Sequence, residues 1–284
     1  MPWVIGAVER AGLAAAVALG SALGIAFLLA ASPGARAGGE AVLPPDLVTL
    51  AIGEEDLAVM IEERRTLLRL SNEIGNVGAG PLEVFPSSAS TGCDADSNAE
   101  NDRAASQRLF EDTNASGAFE RESDAVTSER LFGCLRYHPA HDHWHTLDFA
   151  RYELRREPSG RLMRSRRKVG FCIADFRQAH PSPASPAEAS YPFGSLAERG
   201  CDERATQGLS AGWADLYALD LPGQEFDVGD LRRGRYCLIS RADPLDLLVE
   251  ANEHNNVRRV RIELRPGQLE VRRLETACRI GASG

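Results

Sequence analysis

The stretch HTLDFARYEL (residues 145–154) alternates polar and apolar side chains and contains aromatic residues, which is typical of a β-strand. Similar short stretches, separated by Gly, Pro and Asn, recur along the chain. They are TLLRLSNEIGNVGAGPLEVF (66–85), KVGFCIADF (168–176), ADLYALDL (214–221), GRYCLISRA (234–242) and VRRVRIEL (257–264). Their number predicts an all-β fold with little helix, organised as a single β-sandwich-like domain.

The segments between these strands are less regular. EEDLAVMIEERR (54–65) is the best helical candidate, although its pattern is equally compatible with a strand. Residues 86–128 are rich in Ser, Asn, Asp and Ala, and residues 177–211 contain HPSPASPAEASYP. Both stretches are predicted to be long loops, which in compact domains are usually functional or disordered.

Directly before the first strand quoted, HPAHDHWH (138–145) holds four of the six histidines of the chain. In an extended segment alternate side chains share a face, so His141, His143 and His145 would converge, whereas His138 has the other parity. Three protonated imidazoles would repel one another, and a shared metal cation explains the cluster better than a solvated polar strand does. Imidazole binds copper, zinc, iron and nickel, so the spacing alone does not choose the metal.

Residues 1–37 are predicted to be a signal peptide. The stretch 11–31 is apolar and uncharged, and SPGARA follows it with the small residues of a cleavage site after Ala37. The alternative is an uncleaved anchor, because about 21 apolar residues can span a bilayer. In both cases the domain at 38–284 is secreted or extracytoplasmic, and it touches the membrane only through the N-terminal segment.

The charge of the exported part restricts its partners. Without the first 37 residues the chain has 30 basic and 40 acidic residues, a net charge near −10. This balance argues against nucleic acid as a partner and permits basic or amine substrates. In the whole chain the basic residues are 31 arginines and one lysine, Lys168. An amine can deprotonate and act as a nucleophile, which a guanidinium effectively cannot, so Lys168 is a candidate for chemistry; chance is the alternative.

These motifs together resemble the lysyl oxidase family in its bacterial form. HPAHDHWH is similar to the copper motif of the family, KVGFC (168–172) to its K-x-x-F-C segment, and QGLSAGWADLYALDL (207–221) to the segment that carries its cofactor tyrosine. The resemblance implies that His141, His143 and His145 bind Cu(II). It also implies that Lys168 and Tyr217 are joined into lysine tyrosylquinone, a cofactor built from the protein itself.

The two ends of the domain resemble the family as well. PPDLV (44–48) and VEANEHNNVRRV (249–260) are similar to segments that share a calcium ion in some relatives. The ligands that the resemblance implies are Asp46, the Leu47 carbonyl, Glu250, Asn252, Asn255 and Asn256. All are oxygen donors, as a hard cation requires. The alternative is a polar turn held together by its Asn side chains.

The resemblance spans most of residues 44–264, with departures from the animal enzymes. The interval between Lys168 and Tyr217 contains a longer loop, Ala140 replaces a cysteine within the copper motif, and the segment between His145 and Tyr152 is one residue shorter. These departures concern the substrate cleft and the disulfides more than the copper site.

All six cysteines lie in the exported part, none in a C-x-x-C pair, and an oxidising compartment favours three disulfides among the 15 possible pairings. Cys93 and Cys134 bracket the long loop before the histidines, and Cys172 and Cys201 bracket the loop between the lysine and tyrosine segments. We predict those two pairs, which leave Cys237 to pair with Cys278.

The function implied by the resemblance is the oxidation of primary amines, including peptidyl lysine, to aldehydes by O₂, with release of H₂O₂ and NH₃. Asp215 lies two residues before Tyr217, on the same face of a strand, and is the candidate base; a solvated carboxylate is the alternative. Trp144 and Trp213 are expected to pack around the site or in the core. Two other functions stay open: an exported copper-binding protein that forms no quinone, and a calcium-stabilised β-sandwich binding module.

Overall fold

The computed structural model describes residues 41–87, 93, 102–138, 143–192 and 206–280, and for His138 and residues 167–171 it describes the backbone alone. Within these ranges the regular structure consists of seventeen β-strands and one 3-10 turn, with no α-helix. The prediction of an all-β fold is confirmed. In the same ranges no helix is long and apolar enough to cross a membrane. The predicted signal peptide lies outside the described residues.

In chain order the strands are β1 (Ala41–Leu43), β2 (Leu47–Thr49), β3 (Leu57–Glu62), β4 (Arg65–Leu70), β5 (Asn72–Asn76), β6 (Leu82–Pro86), β7 (Asp102–Asp112), β8 (Ala125–His138), β9 (His143–Arg156), β10 (Leu162–Phe171), β11 (Arg177–Gln178), β12 (Gln207–Leu209), β13 (Trp213–Tyr217), β14 (Glu225–Asp227), β15 (Gly234–Ala242), β16 (Val257–Arg265) and β17 (Glu270–Leu274), with the 3-10 turn Pro266–Gln268 before the last.

The strands form three sheets in which every strand pair is antiparallel. The largest has ten strands in the order β12-β6-β7-β8-β9-β15-β16-β17, with β1 added on β7 and β10 on β9. The second has the order β11-β13-β5-β2, and the third β14-β4-β3. The large sheet thus contains the predicted histidine strand β9, whereas the tyrosine strand β13 belongs to the second sheet.

One hydrophobic core joins the sheets. Leu154 on β9, Leu238 on β15 and Ile262 on β16 are fully buried in the same cluster as Leu70 on β4 and Ile74 on β5. Burial of a side chain of this size contributes about 1.5–3 kcal/mol relative to leaving it in water. Because the inward residues of the large sheet pack on those of the smaller sheets, the architecture agrees with the predicted sandwich.

The segment 54–65, which the sequence left open between helix and strand, is a β-hairpin. Glu62 pairs with Arg65, so only Glu63 and Arg64 form the turn between β3 and β4. Both turn residues have positive φ, 47° and 66°, as the twist of a two-residue hairpin requires. This turn could not be predicted from the sequence, because neither turn residue is Asn or Gly, the residues that favour such φ values.

The prediction of a loop over residues 86–128 is wrong for a large part of that stretch. Residues 102–112 form β7, and β8 begins at Ala125. The sequence DRAASQRLFED is rich in small and polar residues, which have low β-propensity. It is buried nevertheless, because the Gln107 side chain donates to the Val249 carbonyl (3.0 Å) and accepts from the Val249 N–H (2.8 Å). Hydrogen bonds to another segment thus allow a strand with few apolar residues to be buried.

Two of the three predicted disulfides are confirmed. Cys93 is bonded to Cys134 on β8, and Cys237 on β15 is bonded to Cys278. Cys172 is also disulfide-bonded, whereas its predicted partner Cys201 lies outside the described residues. Each of the two described bonds closes a sequence separation of 41 residues, for which the chain-entropy model gives a stabilisation of about 4 kcal/mol.

The strained turn of the first hairpin gives a stability prediction. Arg64 has φ 66°, where a Cβ atom costs about 1 kcal/mol, so Arg64→Gly should stabilise the protein by up to about that amount and raise the Tm by about 2 °C. The control is Arg64→Ala, which removes the guanidinium but keeps the Cβ and should not raise the Tm. Equal Tm values for the two variants would contradict the backbone explanation.

Candidate functional site

Two of the predicted histidines meet at the beginning of β9. His143 and His145 are half-buried, their rings lie on the same face of the strand, and the ring centroids are 4.8 Å apart. The two Nε2 atoms are separated by 2.8 Å. The prediction that alternate histidines of this segment converge is therefore confirmed for this pair.

The other two histidines of the motif are described less completely. His141 lies outside the described residues, so its predicted place beside His143 and His145 stays a prediction. His138 ends β8, and its backbone pairs with that of His143. Directly opposite residues of antiparallel strands are neighbours on one face of the sheet, so this register brings the backbone of His138 next to that of His143, contrary to the expectation from its parity.

The two histidine nitrogens suit a metal ion. Two imidazole nitrogens bound to one ion at about 2.0 Å, at right angles to each other, would lie about 2.8 Å apart. That value equals the separation of the two Nε2 atoms, 2.8 Å. At this separation one ring N–H can also donate to the other ring nitrogen when no metal is bound. Nitrogen donors in a tetragonal arrangement are favoured by Cu(II), so the pair fits copper in its donor chemistry and is close enough to share one ion.

Tyr217 ends β13, and its hydroxyl group lies between two acceptors. One is the Cys172 carbonyl oxygen at 2.9 Å, and the other is the Asp215 carboxylate oxygen Oδ2, which is in short contact with it. Both side chains are buried, at 7% and 4% exposure. Asp215 therefore shares the face of Tyr217, as its position two residues earlier on the strand predicted.

The surroundings of Tyr217 keep its phenol protonated. Burial raises the pKa of Tyr217 well above 10, and the neighbouring Asp215 charge raises it further. Tyr152 on β9 is likewise fully buried, and its pKa is also raised by burial. A positive ion beside the Tyr217 oxygen would act in the opposite direction, because it stabilises the phenolate.

A buried polar cluster that the sequence did not reveal surrounds the tyrosine. The Gln224 side-chain amide donates to the Tyr217 backbone carbonyl (2.9 Å). The Ser240 hydroxyl donates to the side-chain oxygen Oδ1 of Asn72 (2.6 Å), the residue paired with Tyr217. Tyr152, Asn72 and Gln224 are all buried, and the Asn72 and Gln224 side chains act as hydrogen-bond partners of the Tyr152 hydroxyl group. The core next to Tyr217 is therefore polar.

The backbone of Lys168 lies on β10 opposite Ala150 of β9. The next pair is Val169 with Leu147, so Asp148 and Phe149 form a bulge on β9, and Asp148 has φ 56°. Bulges redirect the side chains that follow them and are common beside active sites. This bulge lies within the segment between His145 and Tyr152, whose length departs from that of the animal enzymes.

The histidine strand and the tyrosine segment meet at Gln207, the first residue of β12. Its side-chain oxygen accepts from the Thr146 hydroxyl (2.9 Å) and the Ile173 N–H (3.2 Å), and its amide donates to the Trp144 carbonyl (3.0 Å). Trp144 is buried against Tyr137, and Trp213 is half-buried with its indole N–H donated to the Pro186 carbonyl. The two tryptophans thus belong to the packing of this region, as expected.

The first and last segments of the domain are also brought together. The Glu250 carboxylate accepts from the Leu47 N–H (2.5 Å) and the Asn256 amide (2.8 Å), and Asp46 accepts from the Asn255 amide (2.7 Å). Asn252, by contrast, is exposed and accepts from the His254 N–H within its own turn. Five of the six residues that the resemblance implied as calcium ligands therefore lie in mutual contact.

The chemistry of this region fits a hard cation. Oδ1 of Asn255 and Oδ1 of Asn256 are buried and have no hydrogen-bond partner among the described residues. Burial raises the pKa of Glu250 from its usual 4.5 to about 8, which shows that its negative charge lacks compensation. Carboxylate oxygen atoms of Asp243, Glu250 and Glu253 lie within 4.8 Å of one another. Asp243 and Glu253 were not among the ligands that the family resemblance implied. Unpaired oxygens and uncompensated charge are what Ca²⁺ would satisfy.

Comparison with known proteins gives consistent matches. The profile of the family described as "Lysyl oxidase" matches residues 88–273. Protein-lysine 6-oxidase of Sus scrofa is 32% identical over 151 residues, 51% of this chain and 54% of that protein, and the Rattus norvegicus enzyme is 32% identical over 151 residues, 51% of this chain and 33% of that protein. Lysyl oxidase homolog 1 of Homo sapiens is 31% identical over 127 residues, 44% of this chain and 20% of that protein. The chain thus matches at most about half the length of these relatives.

The raised pKa of Glu250 predicts a pH dependence of stability in metal-free protein. The folded state favours protonated Glu250, so this residue contributes stability at low pH that is lost as the pH rises from 4.5 towards 8. The side chain that Glu250→Gln introduces cannot ionise, so this variant should not lose stability over that pH range. With EDTA present, the Tm of the variant minus that of the wild type should therefore increase between pH 5 and pH 8, measured by thermal melts. A difference independent of pH would contradict the assignment.

Proposed function

The chain belongs to the lysyl oxidase family, and on that premise we propose that it is a copper-dependent amine oxidase with a quinone cofactor made from Lys168 and Tyr217. The observation that carries the proposal is the convergence of the His143 and His145 Nε2 atoms at 2.8 Å. The reaction is RCH₂NH₂ + O₂ + H₂O → RCHO + NH₃ + H₂O₂. The relatives whose names state an activity are protein-lysine 6-oxidases, and the transfer of that activity to this chain is part of the proposal.

In this proposal His141, His143 and His145 hold Cu(II) as neutral imidazoles. When bound, copper and O₂ supply the oxidation of the tyrosine ring, and the finished quinone supplies the carbonyl that reacts with the amine. The half-buried position of His143 and His145 excludes part of the solvent while leaving one side of the rings accessible. Such partial exposure suits a metal with open coordination positions.

The chain's own residues provide the proton transfers. The Tyr217 hydroxyl must lose its proton before oxidation. The Asp215 carboxylate is in contact with the hydroxyl group and is the proposed proton acceptor. The Cys172 carbonyl accepts the same hydroxyl group and fixes the ring orientation. In turnover, Asp215 is the proposed base for the α-proton of the bound amine, because it lies beside the ring oxygen and is shielded from water.

Lys168 supplies the second half of the cofactor. Its amine, once deprotonated, adds to the oxidised Tyr217 ring, a step for which none of the 31 arginines is suited. The pairing of the next residue, Val169, with Leu147, two positions beyond His145 on the histidine strand, supports a location of Lys168 close to the metal motif. The bulge at Asp148 and Phe149 makes that pairing differ from regular alternation.

The substrate class follows from charge as well as from the relatives. A primary amine is cationic in water, and the exported part of the chain has a net charge near −10, which favours the approach of cations. We propose primary amines, including the side chain of protein lysine, with O₂ as the second substrate. We also propose that the protein acts outside the cytoplasm, because its disulfides require an oxidising compartment.

We also propose calcium as a structural cofactor at the place where the first and last segments of the domain meet. Asp46, the Leu47 carbonyl, Glu250, Asn255 and Asn256 are the proposed ligands, with Asp243 and Glu253 adjacent. The unpaired buried amide oxygens and the raised pKa of Glu250 support this choice. Calcium would then abolish the pH dependence expected of the metal-free protein, because it stabilises the ionised carboxylate.

A second candidate function is an exported copper-binding protein that forms no quinone. The contact between His143 and His145 favours it equally, because two converging imidazoles bind copper whether or not Lys168 reacts. The two functions differ in a visible absorbance band and in redox cycling with nitroblue tetrazolium, which only a quinone gives.

The first functional prediction concerns the histidines. Removing a group that merely orients a metal ligand typically lowers metal affinity by 10–100-fold, so His143→Ala or His145→Ala should lower copper affinity by at least about 100-fold. His180→Ala is the control, since His180 is an exposed histidine outside the motif, and it should keep one tightly bound copper per chain. Competition titration with a chelator measures the affinity. Full copper retention by His143→Ala would exclude this site.

The second functional prediction separates the quinone from the copper. Lys168→Arg keeps the positive charge but removes the usable nucleophile, and Tyr217→Phe removes the phenol. Both variants should fold and bind copper, yet show no quinone absorbance. In aerated, copper-saturated wild type, mass spectrometry of a protease digest should find a branched peptide joining Lys168 to Tyr217. If that material contains only the two linear peptides and releases no peroxide with primary amines, the copper-binding alternative replaces the oxidase.

A further inference from the structure

We propose that Gln207 is a positioning residue whose side-chain carboxamide sets the distance between the histidine strand and the tyrosine segment, so that the bond between Lys168 and Tyr217 can form. The inference rests on the proposed function. Gln207 is 2% exposed and makes three hydrogen bonds to residues of two other segments. It contacts no reacting group itself, so its effect would be on geometry.

The three bonds connect the segments that carry the chemistry. Trp144 lies between His143 and His145, and Thr146 follows them, so the carboxamide holds the histidine strand at both a carbonyl and a hydroxyl group. On the other side it accepts from the N–H of Ile173, the residue after Cys172. Since the Cys172 carbonyl accepts the Tyr217 hydroxyl, a single hydrogen-bonded path runs from the metal ligands to the phenol.

Direct pairing of β12 with β9 does not provide the contact of Gln207 with the histidine strand. In the large sheet, β12 is separated from β9 by β6, β7 and β8, which in a flat sheet would place the two strands about 19 Å apart. The Gln207 amide nevertheless lies 3.0 Å from the Trp144 carbonyl. The sheet therefore curls back on itself, and the carboxamide joins its two sides at the metal motif. The β9–β10 ladder and the bond from the Gly208 N–H to the Ile173 carbonyl (3.1 Å) also hold this region, and the carboxamide adds the direct contact between β12 and the histidine strand.

The requirement is specific for glutamine. The position needs one atom that accepts two hydrogen bonds and another that donates one, which a carboxamide provides. A glutamate of the same shape would keep the acceptor but present a second oxygen to the Trp144 carbonyl, where two acceptors would repel. Small displacements are enough to matter, because a misplacement of about 1 Å can slow a reaction between fixed groups by about 100-fold.

The chain contains a matched control. Gln107 on β7 is also fully buried and also bonds backbone groups, the N–H and the carbonyl of Val249. Gln107→Glu therefore imposes the same chemical change on hydrogen bonds that involve neither the histidine strand nor the tyrosine segment. Because Val249 precedes Glu250, all samples should contain saturating calcium, so that the acidic turn is held equally in the control and in the wild type.

The experiment starts from full-length protein produced without copper. Copper and air are added, and quinone formation is followed by absorbance and by the yield of the branched peptide. We expect Gln207→Glu to form quinone at least tenfold more slowly than the wild type, whereas Gln107→Glu forms it at the wild-type rate despite a similar loss of Tm. A rate within twofold of the wild type for Gln207→Glu would overturn the proposal.

Hydrogen exchange in the copper-free protein gives a readout independent of activity. In Gln207→Glu the Ile173 amide and the β9 amides at 144–146 should exchange faster, and in Gln107→Glu they should not. If Gln207→Glu fails to fold, Thr146→Val removes one of the three bonds and should still slow quinone formation at least twofold; a wild-type rate would overturn the proposal. If the wild type forms no quinone, the proposed function fails, and unchanged exchange at these amides would overturn the positioning role separately.

Discussion

The site depends above all on the pairing of β9, a strand of fourteen residues that changes partners along its length. Its first residues, His143–Thr146, pair with β8, and from Thr146 onwards it pairs with β10 on one side and, from Ala150, with β15 on the other. The histidines thus stand at the end that is least enclosed, while Tyr152 and Leu154 lie in the core. One strand therefore links a partly open metal motif to a rigid interior, and the disulfides of Cys134 and Cys237 fix both of its main-sheet neighbours.

The second constraint is electrostatic. Burial opposes ionisation of Tyr217, and the Asp215 carboxylate beside it opposes it further, so the phenol is inert until a cation approaches. The same contact supplies an acceptor for the proton once ionisation becomes favourable. This contact keeps the Tyr217 phenol protonated when no metal is present and would accept its proton when a metal is bound. Both effects suit the proposed role of Tyr217, in which the ring is oxidised only next to copper.

Sequence reasoning succeeded where a local period carries the information. The two-residue spacing of His143 and His145, and of Asp215 and Tyr217, predicts shared strand faces, and both pairs are in contact. It failed where contacts between segments far apart in the sequence determine the structure. The strand Asp102–Asp112 is held by the backbone of Val249, and Asp243 and Glu253 approach Glu250 only through the turn that connects them. Gln207 belonged to a recognised motif, but no spacing rule says that its amide reaches the Trp144 carbonyl.

The bulge on β9 connects the two candidate metal regions. Asp148 and Phe149 are the extra residues opposite Lys168, and the Phe149 carbonyl accepts from the Asp243 N–H (3.0 Å). The Asp243 carboxylate in turn accepts from the N–H groups of Leu247 and Leu248, which begin the approach to Glu250. A cation bound among the acidic residues would stiffen this turn, and the turn holds the bulge that sets the register of the lysine strand. The turn that carries the acidic residues and the register of the lysine strand are therefore linked through backbone hydrogen bonds.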